Sequence, residues 1–553
     1  MRPERPRAGA RSRSDPDATQ VLIAGGGPVG LAAAIELVRR GIDCLVIEPR
    51  RAVSHARPRC KTINVRTMEH LRRWGIADRL RRRAPVPVSW SQDVVFCTSL
   101  TGHELWRFTG VLGLQAEGDR FCELGQQAPQ YVLEELLREV LAELAPGSLI
   151  SGRRVVGLEQ DDREARVSTA GPDGTEDLQT ITADYVVGCD GPRSTVREAI
   201  GSAYVGERAL KPNFGMVFRA PALLELCAHG RAVQYWVVNR AAPALLGPID
   251  LIGTWWMIAL DVAREEGERR ARELIDTAVG APVSATILST DPWTARMQIV
   301  DRLRDRRVFL AGDAAHLNPP FGGHGLNTGI GDAVDLGWKL AAVLDGWGGT
   351  HLLDSYEAER RPVQTAVIEA AVANMRVLST DLVADALDAP GEQGERARRA
   401  VASTIRATKR AEFHALDLVL DLGYERSPII APSAGQAGLA GFRLPHLWIG
   451  PGRSLFDELG PAMTLLVLAD GLEADASRIA AAARDAGMPL RTLQLPGPAR
   501  SRYGSALVLV RPDQHVAWCG DGAPEDPRAL VDLVRGASIT DHLSSGATSA
   551  DPR

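Results

Sequence analysis

The sequence contains little cysteine, little lysine and no long apolar run. Its seven cysteines are dispersed along 553 residues, with no CxxC pair and no spacing typical of a metal site. No apolar stretch approaches the roughly 18 residues that a membrane span requires. The formal net charge of -5 argues against a nucleic-acid binder, which usually carries a basic face. We therefore expect a globular protein with free thiols in a reducing cytoplasm, and neither a metal, a nucleic acid nor a membrane as partner.

The two ends of the chain differ in character from the rest. The first twenty residues, MRPERPRAGARSRSDPDATQ, are rich in arginine and proline but have no apolar core, so they do not resemble a secretory signal. We expect 1–18 and 542–553 to be disordered tails. The length between them exceeds one hydrophobic core and predicts two or three domains.

The first motif lies in the stretch VLIAGGGPVG, between a buried strand and an amphipathic helix. In this G-x-G-x-x-G pattern Gly25 permits a tight turn, Gly27 lets the backbone approach a pyrophosphate, and Gly30 lets the helix pack close to the strand. Pro28 opens the helix, and Glu48 ends the next strand, where a carboxylate can accept hydrogen bonds from ribose hydroxyls. The pattern predicts a dinucleotide site but does not separate NAD from FAD.

The second motif is YVVGCDGPRSTVREAIG, residues 185–201. A buried strand ends at Asp190-Gly191, and a helix starts shortly after it. Taken alone, Asp190 and Ser194 could be helix caps rather than ligands.

The third motif is VFLAGDAAHLNPPFGGHGLN, residues 308–327. A short strand delivers Gly312-Asp313 at its carboxyl end, where ligands lie in open α/β sheets. Two prolines and three glycines then form a loop that could pass very close to something flat, and a helix over 326–340 would aim its N-terminal N–H groups at a partial negative charge. The alternative is a tight connection with ordinary capping residues.

In this order the three motifs resemble those of the single-component FAD-dependent aromatic hydroxylases, the family of para-hydroxybenzoate hydroxylase, phenol hydroxylase and the aromatic polyketide hydroxylases. The resemblance covers about residues 19 to 380. It implies an α/β fold in which a Rossmann-like FAD-binding domain is interleaved with a β-rich substrate domain. The FAD-binding domain is expected over 19–80, 124–202 and 299–380, and the substrate domain over 81–123 and 203–298.

The end of the chain resembles the thioredoxin-like domain of phenol hydroxylase and the aromatic polyketide hydroxylases. We expect a helical connector over 381–440 and this α/β domain over 441–541. Because it has no CxxC and Cys519 stands alone, a structural or dimer-supporting role is favoured over a redox role. A homodimer is left open.

The resemblance implies that one extended FAD lies across all three motifs. The first turn would hold the ADP half, Asp190-Gly191 would touch FAD and the pyridine-nucleotide route, and Gly312-Asp313 would bond the ribityl chain. The implied cofactor-binding residues are Gly25, Gly27, Pro28, Gly30, Glu48, Arg59, Gln130, Asp190, Gly312, Asp313, Pro320, Gly323, Gly325, Leu326 and Asn327.

The expected chemistry belongs to the cofactor, as the resemblance implies. NAD(P)H would reduce FAD, and a flavin hydroperoxide formed with O2 would hydroxylate a phenolic or aromatic polyketide-type substrate. His324 and Pro320 would lie near the flavin; a protonated His324 could add positive potential beside the reduced ring, or it could be a plain loop histidine. No substrate-deprotonating base is assigned, although Arg219 and Tyr235 could meet a phenolate or carboxylate.

The β-rich segment supplies the candidate walls of the substrate cavity, although strand alternation must turn about half of them away. These walls are Met216, Phe218, Tyr235, Trp236, Trp255 and Trp256.

The sequence leaves several alternatives open. The same fold could perform Baeyer–Villiger oxidation or epoxidation, or it could be a flavin-fold binding protein that has lost catalysis. The choice of NADH or NADPH is not determined. The preference for arginine over lysine and the thioredoxin-like domain favour a role in secondary metabolism or aromatic degradation.

Overall fold

A computed structural model describes residues 17–56, 61–114, 119–174, 177–207, 211–375, 377, 380–432, 438–495 and 497–538. Arg59 and most of the two predicted tails lie outside the described residues. None of the helices in these ranges is both long and apolar enough to cross a membrane.

The helices follow the apolar periodicity of the sequence, and several begin where the sequence places a capping residue; Asn64, for example, accepts a hydrogen bond from the Thr67 N–H. The helix predicted over 326–340 begins two residues earlier and ends four later. In the described residues the helices are α1 (Pro28–Val38), α2 (Val65–Arg73), α3 (Ala77–Arg83), α4 (Gln130–Leu144), α5 (Thr195–Ala199), α6 (Leu223–Leu226), α7 (Arg264–Val279), α8 (His324–Leu344), α9 (Ser355–Met375), α10 (Gly391–Phe413), α11 (Leu416–Leu420), α12 (Glu473–Asp485), α13 (Pro498–Tyr503) and α14 (Pro527–Val534), with 3-10 turns at Gly312–Ala314 and Leu455–Asp457.

The strands of the described residues group into three main sheets. They are β1 (Ala18–Ala24), β2 (Cys44–Glu48), β3 (Thr62–Ile63), β4 (Val94–Cys97), β5 (Glu104–Phe108), β6 (Gln126–Gln127), β7 (Leu149–Ser151), β8 (Arg154–Gln160), β9 (Ala165–Ala170), β10 (Gln179–Gly188), β11 (Tyr204–Glu207), β12 (Pro212–Arg219), β13 (Gln234–Val237), β14 (Ala244–Pro248), β15 (Thr254–Leu260), β16 (Thr286–Thr294), β17 (Met297–Val300), β18 (Arg304–Asp305), β19 (Val308–Leu310), β20 (His316–Leu317), β21 (Trp448–Gly450), β22 (Arg453–Ser454), β23 (Met463–Val467), β24 (Leu490–Gln494), β25 (Leu507–Val510) and β26 (Val516–Gly520).

The first sheet has the order β18-β19-β10-β1-β2-β7, extended by β9 and β8. Strand β1 pairs in parallel with β2 and β10, and β10 pairs in parallel with β19. The carboxyl ends of these strands therefore meet at one edge of the sheet. Since each of the three sequence motifs follows one of these strands, parallel pairing alone brings the motifs together.

The second sheet has the order β16-β12-β15-β14-β13-β4-β5. Its strands come from two separate stretches of the chain, and all neighbours are antiparallel except β13 and β4. One face packs against α7, with Phe214 and Trp255 fully buried between them. The other face carries Trp236 and Trp256.

The C-terminal module is a four-stranded sheet of order β24-β23-β25-β26. Strand β23 pairs in parallel with β24 and antiparallel with β25, and α12 and α14 join the same apolar core. This βαβ–ββα arrangement is a thioredoxin-like fold, so the predicted α/β class with a β-rich second domain and a thioredoxin-like third is confirmed.

Candidate active site

A cavity of about 1100 Å³ lies at the carboxyl edge of the first sheet, beneath the second sheet. All three sequence motifs contribute to its walls. Among the predicted cofactor residues its lining includes Gly25, Gly27, Pro28, Glu48, Gln130, Asp190, Asp313, Pro320, Gly323, Gly325 and Leu326.

The first glycine turn leaves open space at one position only. A Cβ on Gly25 would lie 2.3 Å from the Cys189 carbonyl oxygen, and one on Gly30 would lie 2.0 Å from the Gly25 oxygen. A Cβ on Gly27 would meet nothing within 4 Å among the described residues. Helix α1 starts directly after Gly27 without a side-chain cap, so its N-terminal N–H groups remain for a ligand. The turn therefore provides an anion site against its backbone.

Glu48 is buried at the mouth of the same cavity. Its Oε2 accepts the Gly26 N–H at 2.8 Å, and its Oε1 accepts the Arg50 N–H at 2.9 Å and Arg50 Nε at 2.7 Å. Oε2 thus keeps a lone pair for a hydroxyl donor. Arg50 also reaches Glu134 at 3.0 Å and lines the cavity. The sequence pattern did not single out Arg50, although its place two residues beyond a strand-end acid could have indicated it.

Asp190 uses one carboxylate oxygen at the start of a helix and leaves the other without a partner among the described residues. Its Oδ2 accepts the Val196 N–H at 3.2 Å, and Ser194 caps α5 through the Arg197 N–H at 2.9 Å. Its Oδ1 is buried and has no hydrogen-bond partner among the described residues. Burial raises the pKa of the Asp190 carboxyl. A hydroxyl or N–H donor of a ligand in the cavity would satisfy this oxygen.

Side chains on the far side from the cavity form hydrogen bonds to the backbone of the Gly312-Asp313 turn. Asp332 on α8 accepts the Gly312 N–H at 3.2 Å, and the Tyr204 hydroxyl donates to the Asp313 carbonyl oxygen. Asp332 also accepts from His316 at 2.9 Å and Arg360 at 2.8 Å. Burial opposes its charge, but Arg360 and His316 lower the pKa of Asp332 to about 2. With its backbone fixed in this way, the Asp313 side chain is exposed toward the cavity.

The Pro-Gly loop, residues 319–325, presents its backbone to the cavity. Gly322 and Gly323 have φ of +85° and +67°, which other residues rarely adopt. Gly323 precedes α8, which has no side-chain cap, so the first N–H groups of α8 remain for a ligand.

The predicted cofactor role of Asn327 requires a correction for its side chain. Its Oδ1 accepts from the Asn64 N–H at 3.0 Å and the Thr67 hydroxyl at 2.8 Å. Its Nδ2 donates to the carbonyl oxygens of Gly323 and Thr62, at 2.7 and 3.0 Å. The amide ties the loop to the segment before α2 and does not line the large cavity.

His324 also differs from its prediction. It lies behind the loop, where it lines a separate small cavity, and its Nε2 packs against Gly322. Burial lowers the pKa of His324 to about 4, so the imidazole is neutral near pH 7. The idea that it adds positive charge beside the flavin is therefore wrong, whereas Pro320 does line the large cavity.

The predicted substrate walls separate by the face of the second sheet on which they lie. Phe218, Tyr235 and Trp255 are fully buried in the core against α7 and do not line the cavity, so their prediction is wrong. Trp236 faces the other way but stacks on Phe96 at 5.1 Å, outside the cavity lining.

Trp256 lines the cavity from the face opposite α7. Met216 borders the cavity as well, although its side chain belongs to the core on the α7 face. Lys61 lies 3.8 Å above the Trp256 ring and lines the cavity as well, a contact that the sequence pattern did not indicate. The Tyr235 hydroxyl donates to the Gly230 carbonyl oxygen, and Arg219 lies exposed outside the lining, so neither can meet a substrate there.

The residues present fit an extended dinucleotide. Free space above Gly27, two uncapped helix N-termini and the buried acceptor of Asp190 meet in one cavity. An aromatic wall stands opposite. Fold and site together define a flavoprotein-type oxidoreductase with its own substrate domain.

Comparisons with known proteins narrow this class. Residues 18–371 match the family described as FAD binding domain, and residues 437–537 match the family described as aromatic-ring hydroxylase, C-terminal. Aklavinone 12-hydroxylase RdmE of Streptomyces purpurascens is 33% identical over 551 residues, covering 93% of this chain and 97% of the relative.

Two solved structures are similar over nearly the whole chain. The rebeccamycin biosynthetic enzyme RebC with reduced flavin has a TM-score of 0.85 at 36% identity, covering 94% of this chain and 99% of RebC. A ternary complex of aklavinone-11 hydroxylase with FAD and aklavinone has a TM-score of 0.80 at 28% identity, with the same coverage. The chain belongs to the family of FAD-dependent aromatic-ring hydroxylases and is a flavoprotein monooxygenase.

Proposed function

We propose that this enzyme uses NAD(P)H and O2 to hydroxylate a phenolic or aromatic polyketide-type substrate. The observation that carries the proposal is that one continuous cavity reaches both the cofactor turns and the second sheet. It joins the dinucleotide-holding turns to Met216 and Trp256 of the second sheet. A cofactor ring beside the Pro-Gly loop would lie within the same enclosure as an aromatic substrate.

The chain's own residues hold and orient the cofactor. The N–H groups at the start of α1 bind the pyrophosphate against Gly27, and Glu48 accepts from the ribose. Asp190 and Asp313 accept from hydroxyls of the ribityl chain, and the backbone of Gly323 and Gly325 approaches the ring. When bound, FAD supplies the redox chemistry, taking electrons from NAD(P)H and activating O2 for transfer of one oxygen atom.

The start of α8 provides electrostatic support for this arrangement. The positive end of its macrodipole favours negative charge at its N-terminus, as on a reduced ring. Because His324 is neutral near pH 7, the helix N–H groups rather than the imidazole supply this potential.

The cavity favours a flat, multi-ring substrate. A volume of about 1100 Å³ lies at the upper end of the range for small-molecule sites. RdmE is named for aklavinone, and the ternary complex contains aklavinone beside FAD. Lys61, which lies over the Trp256 ring and lines the cavity, provides a cation that would attract an electron-rich ring system.

Oxidation assays test the proposal directly. The purified, flavin-loaded enzyme would be supplied with NADH or NADPH and a panel of phenols and anthraquinone-like polyketides. We expect substrate-stimulated NAD(P)H oxidation and a product heavier by one oxygen atom. A ring-expanded product would show Baeyer–Villiger oxidation instead of hydroxylation, and an epoxide product would show epoxidation. Retained flavin without stimulated oxidation by any compound would favour a binding protein.

The cellular location, the domain boundaries and the oligomeric state are proposals. We place the enzyme in the cytoplasm, which is supported by the thiol form of the six cysteines that the structure describes. The domain boundaries of the sequence analysis are kept. The homodimer stays a prediction that light scattering of the purified protein would decide.

A further inference from the structure

A turn of the C-terminal module, residues 511–515 between β25 and β26, reaches two helices of the FAD-binding domain. The Asp513 carbonyl oxygen accepts from Arg66 Nη2 of α2 at 2.8 Å, and Asp513 Oδ2 accepts from Trp338 Nε1 of α8 at 3.3 Å. Gln514 Oε1 accepts from Arg66 Nη1. This segment, which we call the docking turn, therefore forms hydrogen bonds with both α2 and α8.

The contact between the docking turn and α2 is buried and charged. Gln514 is 0% exposed, and its φ of +69° is one that glycine or asparagine adopts more readily. Beside it, Glu69 of α2 accepts from Arg66 at 3.0 Å and from two nitrogens of Arg443 at 2.6 and 3.0 Å. Charge-assisted hydrogen bonds of this kind are stronger than neutral ones. The module therefore fixes the position of α2 in addition to packing against it.

Asn327 joins the starts of the same two helices. Its Oδ1 accepts from the Thr67 hydroxyl of α2 at 2.8 Å and from the Asn64 N–H before α2 at 3.0 Å. Its Nδ2 donates to the Gly323 carbonyl oxygen of the Pro-Gly loop at 2.7 Å. Gly323 lines the large cavity. A displacement of α2 is therefore passed on to backbone that borders the cavity.

The first turn of α2 connects these two sets of contacts over a short distance. Asn64 caps the helix by accepting the Thr67 N–H at 2.9 Å, so this turn moves as a unit. Arg66 and Glu69, which contact the module, lie within one helical turn of Thr67. The docking turn and the Pro-Gly loop are thus connected by hydrogen bonds through a single capped turn.

We propose that the docking turn is a positioning element for the cofactor. It sets the placement of α2 against α8, and Thr67 and Asn327 transmit this placement to the Gly323 backbone. The module then acts on the flavin site although the cavity lining that the structure describes contains none of its residues. The inference rests on the proposed function only in assigning the Pro-Gly loop to the cofactor ring.

The link between α2 and the loop is tested with Thr67→Val in the full-length enzyme. Valine has a shape similar to that of threonine but no hydroxyl, so Asn327 loses one donor. We expect FAD to bind at least fivefold more weakly and the visible absorption bands of the bound flavin to shift. Thr67→Ser keeps the hydroxyl and is the matched control, with affinity within about twofold of the wild type. Equal FAD affinity in Thr67→Val and the wild type overturns the link.

The docking turn is tested from the side of the module with Gln514→Asn. Asparagine tolerates the left-handed conformation, but its side chain is one methylene shorter and should not reach Arg66. We expect FAD binding to weaken at least threefold, with the same spectral shift as in Thr67→Val. Arg528→Met, which changes an exposed arginine of the same module, is the control and should bind FAD normally. Unchanged FAD affinity and spectrum in Gln514→Asn overturn the positioning role, whatever the change in thermal stability.

Thermodynamic linkage requires the effect to run in both directions. FAD binding should slow hydrogen exchange at the Gln514 amide, which donates to the Arg511 carbonyl oxygen at 2.9 Å, at least threefold in the wild type. Thr67→Val should abolish this protection, with the amides of β25 as internal reference. No protection in the wild type, or equal protection in Thr67→Val, overturns the proposal. Neither FAD titration nor exchange needs NAD(P)H or a substrate, so a failure of the hydroxylation assay leaves these tests intact.

Discussion

At the scale of single residues, Gly27 differs from the other glycines of its turn. Gly25 and Gly30 are required because a side chain would collide with backbone, whereas at Gly27 the space is open and belongs to the cavity. Its φ of -78° is accessible to any residue. A substitution at Gly27 therefore tests the ligand space without backbone strain.

We predict that Gly27→Val folds but loses FAD. The isopropyl group would occupy the place of the pyrophosphate, so affinity should fall on the order of 100-fold, about 2.7 kcal/mol. Flavin content after purification and titration calorimetry measure this. Gly460→Val, at another glycine with open space around it and outside the cavity, is the control. Normal flavin content in Gly27→Val would contradict the assignment of the turn.

His324 makes a prediction about pH rather than about catalysis. Its pKa is lowered by burial to about 4 in the folded protein, whereas an unfolded histidine titrates near 6.5. Between these values the unfolded chain binds more protons, so folding stability is fully present above about pH 6.5 and falls as the pH approaches 4.

We expect His324→Gln to remove this dependence. The difference in unfolding free energy between wild type and variant should shrink by roughly 3 kcal/mol from pH 7 to pH 4. Urea unfolding at several pH values measures it. A difference that stays constant across the range would show that His324 is not buried in its neutral form.

At the scale of elements, strand β15 presents neighbouring tryptophans to opposite environments. Trp255 packs against α7 in the sheet core, and Trp256 lines the cavity under Lys61. Alternation along a strand explains why two adjacent and chemically identical residues serve different purposes.

We predict that the two alanine variants separate. Trp255→Ala should lose about 3–5 kcal/mol of stability with KM unchanged, because it empties a core position. Trp256→Ala should raise KM for the aromatic substrate about tenfold, because it removes the ring that holds Lys61 in the cavity wall. Thermal unfolding and steady-state kinetics measure both. A KM effect confined to Trp255→Ala would reverse the assignment of faces.

At the scale of the whole molecule, a buried charge network joins the C-terminal module to the helices behind the cavity. Arg511 contacts Glu359 at 2.6 Å and Asp335 at 3.0 Å, and it also pairs with Asp513. Lys339 of α8 pairs with Asp335 at 2.8 Å and Glu359 at 2.6 Å. The three carboxylates lie close enough to share a metal ion. Arg511 and Lys339 supply two positive charges, and burial raises the pKa of the Asp335 carboxyl well above its ordinary value.

We therefore expect Arg511→Met to uncouple the module from the rest. Three buried carboxylates would lose a partner, at a cost of about 3–5 kcal/mol. In calorimetry, the one unfolding transition expected of the wild type should become two transitions in Arg511→Met. Arg528→Met removes an exposed arginine of the same module, paired with Asp532, and should leave the transition unchanged. An undivided transition in Arg511→Met would contradict the coupling.

The strand-end motifs were predictable because their chemistry is local. A dinucleotide site is indicated in any parallel sheet by glycines at fixed spacing after a buried strand and an acid at the end of the next strand. The positions that required the structure depend on distant partners. Asp332 follows the Gly312 that it supports by twenty residues. Asn327 is 263 residues from the Asn64 whose N–H it accepts, and no local pattern relates the two.

The sequence by itself determined the α/β class and the three turns, and the resemblance to the aromatic hydroxylases implied that the turns share one cofactor. Only the tertiary structure decided which face of the second sheet borders the cavity, because α7 covers one face and alternation is symmetric between them. It also decided that His324 lies in a separate small cavity rather than the large one. Asn327 connects the Pro-Gly loop to the segment before α2. Each of these outcomes depends on which groups, distant in sequence, exclude water from the side chain.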